Sequence, residues 1–166
     1  MRHIQSFPPI ERADARILIL GSMPGEASLR AGQYYAHPQN LFWRIMGELL
    51  GVDPALPYEQ RVEALKAAGI ALWDVLHSCR RKGSLDSDID NGSLAPNDLA
   101  AFFRRHSKIT RVFFNGAKAE ECYRRHVLPG IEGVSIEYLR LPSTSPANAS
   151  IPYGCKLDAW RTITAA

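Results

Sequence analysis

The sequence predicts an α/β protein: a three-layer α/β/α sandwich around a central four-stranded, mostly parallel sheet. Two observations carry this. Short apolar runs, the pattern of strands buried on both faces, recur four times with helical patterns between them. Each run also ends on polar or small residues, namely Gly21-Ser22, His77-Ser78, Asn115-Gly116 and Pro142-Ser143. Parallel sheets bind ligands at those carboxyl ends, so the four exits are expected to converge on one site.

Taken in order, residues 1–15 form a lead stiffened by Phe7-Pro8-Pro9, and Arg16 to Leu20 is the first strand. Gly21 breaks it, and the chain turns through Pro24 and Gly25 into a loop with two tyrosines. From Asn40, the spacing of Leu41, Ile45 and Leu49 predicts a helix ending near Gly51. Pro57 precedes a second helix, stopped by Gly69. Ile70 to Leu76 reads as the second strand, and His77 to Ser93 as a long polar loop of the kind that is often functional. Pro96 to Asp98 open a third helix, and Arg111 to Phe114 is the third strand. Ala117 to Leu128 is a helix, Val134 to Leu141 the fourth strand, and Lys156 to Thr164 the closing helix.

A length of 166 residues is expected to form one domain over 1–166. No apolar run is long enough for a bilayer span, and the N-terminus has no apolar leader, so a cytoplasmic protein is expected. Cys79, Cys122 and Cys155 are far apart and in no CxxC pair, and the histidines lack HxH or HExxH spacing, so no metal is expected. Asp86, Asp88 and Asp90 begin like a calcium loop but lack its sixth-position Gly and twelfth-position Glu. The net charge of +3 suits an anionic partner. The basic clusters near 104–111 and 124–126 read as solvated faces, whereas Arg80 follows a strand on the site side and is expected to contact phosphate.

Gly21-Ser22-Met23-Pro24-Gly25 has neither GxGxxG nor GK[ST] spacing, and alone it is a turn. Combined with YYAHPQNLFW (34–43), ALWDVL (71–76), FFNG (113–116) and LPSTSPAN (141–148), it resembles the uracil-DNA glycosylase superfamily, and within it the hypoxanthine-DNA (deoxyinosine) glycosylase branch. The resemblance spans about residues 16–161. It implies cofactor-free hydrolysis of the bond between a deaminated base, hypoxanthine foremost and uracil next, and its deoxyribose. The implied partner is double-stranded DNA carrying the damaged base, with the protein acting as a monomer and touching no membrane.

Many superfamily members place a water-holding Asp or Asn where this chain has Met23. The resemblance therefore assigns the water to Asn40, which can also cap the helix that follows it. The competing reading is a non-catalytic module of the same fold. Asn115 joins Asn40 as a catalytic candidate, or else supports the turn at Gly116. Base-binding candidates are Ser22, Met23, Tyr35 and Phe42, although helical spacing puts at least one of Phe42 and Trp43 in the core. DNA-binding candidates are Pro24, Gly25, Arg80, Ser143, Thr144, Ser145 and Asn148, with Thr144, Pro146 or Ala147 near the gap left by an extruded base. Asp74 and His77 read as structural or phosphate-contacting. With no lysine in these motifs, Lys118 and Lys156 being the nearest, a Schiff-base route is not expected.

Overall fold

The computed structural model describes residues 2–165. In chain order the elements are β1 (Arg2–Gln5), β2 (Ile17–Gly21), α1 (Glu26–Ala31), α2 (Phe42–Leu50), α3 (Tyr58–Ala67), β3 (Ile70–Asp74) and β4 (Leu76–Arg81). They continue with β5 (Ala95–Pro96), α4 (Leu99–Arg105), β6 (Arg111–Asn115), α5 (Ala117–His126), β7 (Glu137–Leu141) and α6 (Tyr153–Trp160).

Strands β3, β2, β6 and β7 lie side by side, in that order, in a parallel sheet. Alternation along each strand divides the apolar residues between two cores, because successive side chains point to opposite faces. Leu18, Leu20, Val112 and Phe114 join Leu99 and Phe102 of α4 and Ala119 and Tyr123 of α5. Ile19, Leu72 and Phe113 join Phe42 and Ile45 of α2, Leu65 of α3 and Trp160 of α6. Each buried side chain of this kind contributes about 1.5–3 kcal/mol relative to exposure. Helices on both faces of one sheet make the three layers that the sequence predicts.

The register sets the site. Gly21 pairs with Asp74 at the end of β3, and Asn115 pairs with Leu141 at the end of β7. From β2 the chain crosses to β3 on one side and later returns to β6 on the other. The carboxyl ends of β2 and β6 therefore flank a topological switch point, where such sheets leave a crevice.

Four details differ from the sequence reading. The four strands of the central sheet pair with one another in parallel throughout, and a second, antiparallel sheet of order β1-β4-β5 stands beside it. The run 70–76 is two strands: β3 ends at Asp74, the chain bends at Val75, and the N–H groups of Val75 and Leu76 donate to the carbonyls of Gly21 and Ser22. The polar stretch after Leu76 thus begins as a strand, and the N-terminal lead supplies β1 and an Ile10–Leu72 bridge. A short helix, α1, occupies part of the expected loop after Gly25. No described helix is long and apolar enough to cross a membrane.

The bend out of β3 is held by the buried Asn97, whose Nδ2 donates to the carbonyls of Asp74 at 2.8 Å and Leu76 at 3.2 Å. Asn97→Ala leaves buried carbonyls without that donor and should cost about 1–3 kcal/mol. Urea unfolding measures this, and an unchanged midpoint would show that the contact does not hold the bend.

Candidate active site

A cleft of about 1030 Å³ runs across the carboxyl ends of the parallel strands. Its walls are the turn after β2, the loop before α2, the loop between β4 and β5, and the segment after β7.

The loop before α2 is fixed from several directions. Tyr34 donates its N–H to the Tyr58 hydroxyl, its hydroxyl donates to the carbonyl of Pro8, and its own carbonyl accepts the Trp43 indole N–H at 2.8 Å. Ala36 donates its N–H to the Ser28 hydroxyl. Between these ties Tyr35 is held at φ 55°, the left-handed region that a bulky residue occupies only when its surroundings impose it. Its ring stacks on Phe42, with centroids 4.3 Å apart. Asn40 lines the cleft half-buried, and its Oδ1 accepts the Phe42 N–H at 3.0 Å. That bond caps the first turn of α2 and fixes the amide, leaving an Oδ1 lone pair and both Nδ2 protons for other partners.

On the opposite wall, Asn115 and Thr144 bond reciprocally. The Asn115 Nδ2 donates to the Thr144 hydroxyl and its Oδ1 accepts the Thr144 N–H, both at 3.0 Å. The carbonyl of Thr144 accepts the Leu41 N–H, which ties this segment to the Asn40 wall. Ser143 and Ser145 accept the N–H groups of Ser145 and Ala147, and Asn148 donates to the carbonyl of Ser143, so the segment is a chain of small turns. Gly116 has φ 94°, and a Cβ there would lie 3.0 Å from that of Ser143.

The floor lies between these walls. A Cβ on Gly21 would fall 2.4 Å from Asp74 Oδ1 and 2.8 Å from the Tyr35 hydroxyl, so both oxygens converge on the space a side chain would take. Burial pushes the Asp74 carboxyl up to about 7, the negative charge of Asp86 adds to this, and Arg81 opposes it. Burial also raises the Tyr35 hydroxyl above its usual range. Asp86, raised by burial, accepts the Ser22 hydroxyl at 2.6 Å. The buried Arg81 donates to the carbonyls of Pro24 and Gly83, joining the first turn to the β4–β5 loop.

The cleft therefore brings together Ser22, Met23, Pro24, Gly25, Tyr35, Asn40, Asn115, Ser143, Thr144, Ser145 and Asn148. It does not include Phe42 or Arg80. Phe42 is sealed in the core beneath Tyr35. Arg80 is exposed on β4, and it is its neighbour Arg81 that turns inward. Met23 is also buried as part of the core beside α4 and α5, and Thr144 is buried behind the cleft wall. The structure adds Asp74, Asp86, Lys118 and the exposed Leu85 to the lining. Asp74 had a sequence signal, an acid inside an apolar run, but its pairing with a glycine across the sheet is visible only in the register.

This architecture recurs in known proteins. The Uracil DNA glycosylase superfamily model matches residues 8–163. A hypoxanthine DNA glycosylase from Methanosarcina barkeri is 39% identical over 145 residues, and one from Methanosarcina acetivorans is 38% identical over 145 residues, each match covering 87% of both chains. The solution NMR structure of a Methanosarcina acetivorans protein, provisionally described as a uracil DNA glycosylase, has a TM-score of 0.80 at 33% identity and covers 99% of this chain and 100% of its own. With matches across nearly its whole length, the chain belongs to the uracil DNA glycosylase superfamily, a superfamily of DNA glycosylases.

Proposed function

We propose that this DNA glycosylase removes hypoxanthine from deoxyinosine in double-stranded DNA, as a monofunctional, monomeric, cytoplasmic enzyme of base excision repair. The observation that carries the reading is the placement of Asn40 and Tyr35 in one cleft at the switch point. The names of the two Methanosarcina relatives support the choice of base. A base must leave the duplex stack to be reached, and the half-buried Tyr35 ring, which lines the cleft and is braced by Phe42, is suited to stack against it.

Breaking the glycosidic bond leaves positive charge on the sugar and negative charge on the departing base. With the Met23 side chain in the core, Asn40 is the group for the water. Its amide, fixed by the Phe42 N–H, orients the water towards the sugar without removing a proton early, which suits a largely dissociative reaction. Asn115 gives one donor and one acceptor to Thr144, which fixes its amide at the cleft and leaves one Nδ2 proton and one Oδ1 lone pair for the base or the water. Lys118, the lysine among the cleft residues, has its Nζ bonded to Asn91 Oδ1 at 2.7 Å, which disfavours a Schiff base. Ser143, Ser145, Asn148, Pro24 and Gly25 rim the cleft and suit phosphate contact. Uracil excision is the second reading, favoured by the description of the neighbour solved by NMR.

Duplexes carrying one deoxyinosine or one deoxyuridine, treated with the protein and then alkali, should break at deoxyinosine faster than at deoxyuridine. No break at either would eliminate glycosylase activity, and faster cleavage at deoxyuridine would favour the second reading. Asn40→Ala should lower the single-turnover rate by about 10²-fold or more and stability by about 1 kcal/mol. Asn40→Asp, which keeps an acceptor for the Phe42 N–H, should retain the stability. Full activity in the alanine variant would remove Asn40 as the water holder. Ser143→Ala should weaken DNA affinity about fivefold, the worth of one hydrogen bond. Its salt dependence should not change, because serine neutralises no phosphate charge; an unchanged anisotropy titration would refute the contact.

A further inference from the structure

Among the described residues, few buried side-chain atoms lack a hydrogen-bond partner within the protein, and two of them, Asp74 Oδ2 and the Tyr35 hydroxyl, belong to cleft residues. Buried polar groups are nearly always paired, so each exception requires a reason. Asp74 is only 3% exposed, and leaving a carboxyl without partners there is costly. The carboxyl takes no part in the hydrogen bonds that hold its neighbours: the bend after β3 is held by backbone groups and Asn97, and Arg81 donates to the carbonyls of Pro24 and Gly83 and acts on Asp74 through its charge. Gly21, by lacking a side chain, leaves the carboxyl and the tyrosine hydroxyl side by side on the cleft floor.

We propose that Asp74 in its acid form, with the Tyr35 hydroxyl beside it, reads the polar edge of the extruded base and donates a hydrogen bond to the base as it departs. A protonated carboxyl offers one O–H donor and one bare oxygen acceptor. The lactam edge of a 6-oxopurine offers the complement, a carbonyl oxygen beside an N–H. When the C1′–N9 bond breaks, its electron pair passes into the base and spreads onto that carbonyl oxygen. Water forms the new bond to C1′ and releases its proton, and the Asp74 O–H bond strengthens as charge builds on the oxygen it serves. An ionised carboxylate would instead repel the departing anion. The acid form is available near neutrality because burial and Asp86 raise the carboxyl to about 7. The titratable and charged groups around it are Arg81 from β4, Asp86 from the β4–β5 loop, and Tyr34 and Tyr35 from the loop before α2; β2 contributes only Gly21.

This inference rests on the hypoxanthine reading, and the test separates the two. Single-turnover cleavage of a deoxyinosine duplex is followed across pH for the wild type, Asp74→Asn and Asp74→Ala. The wild-type rate should fall as pH rises through about 7, approaching tenfold per unit once the carboxyl ionises. Asp74→Asn keeps a donor and an acceptor that do not titrate, so it should lose this fall and stay within about tenfold of the wild type. Asp74→Ala should lose about 10²-fold or more at every pH. A wild-type profile flat above neutrality, or an alanine variant as active as the wild type, overturns the proposal. If the wild type cleaves neither deoxyinosine nor deoxyuridine, the functional reading fails. Asp74 is then judged by carbon NMR titration of its carboxyl with free hypoxanthine, where a raised midpoint supports base reading and an unmoved one rejects it.

Discussion

The crowding above Gly21 is the constraint on which the site depends. A single methyl group there would overlap the carboxyl of Asp74 and press on the hydroxyl of Tyr35. The glycine is required by proximity, since its φ is not in the left-handed region. Its place is fixed by the parallel register that sets it opposite Asp74. That pairing brings a buried acid to the floor of the cleft.

The walls are positioned by polar bonds that reach across the sheet's carboxyl edge. Thr144 is the junction: its side chain and N–H bond Asn115 at the end of β6, and its carbonyl accepts the Leu41 N–H next to Asn40. The two motifs that the sequence makes conspicuous are thereby one unit, although a hundred residues separate them. Arg81 performs the same task on the other side, where its buried guanidinium joins the β2 turn to the β4–β5 loop. A site built this way is preorganised. The left-handed Tyr35, locked between the bonds of Tyr34 and Ala36, is its most constrained member.

Much of this was legible in the sequence, and the rest was hidden for physical reasons. The runs at 17–20 and 111–114 announce doubly buried strands because nothing polar interrupts them. The block at 34–43 marks itself by an asparagine before an amphipathic helix. Strand β4 did not announce itself, since its inward residues include Ser78, Cys79 and Arg81, which are small or charged. The carbonyls of Pro24 and Gly83, with the negative charge of Asp86 nearby, make an inward arginine tolerable. Phe42 and Met23 illustrate the reverse case: their places in the motifs suit a site, yet both belong to the core clusters. The surroundings of Asp74 were not legible, because they come from residues elsewhere in the chain, Gly21, Tyr35 and Asp86.

The proposed reaction hydrolyses a deaminated purine from DNA with water alone. The direct measurement is the release of free base from a deoxyinosine duplex under single turnover, quantified by chromatography with a parallel borohydride quench. Free hypoxanthine should appear in equal number to abasic sites, with no protein–DNA adduct trapped. Absence of free base, or a borohydride-stable adduct formed in step with base loss, would contradict this reaction.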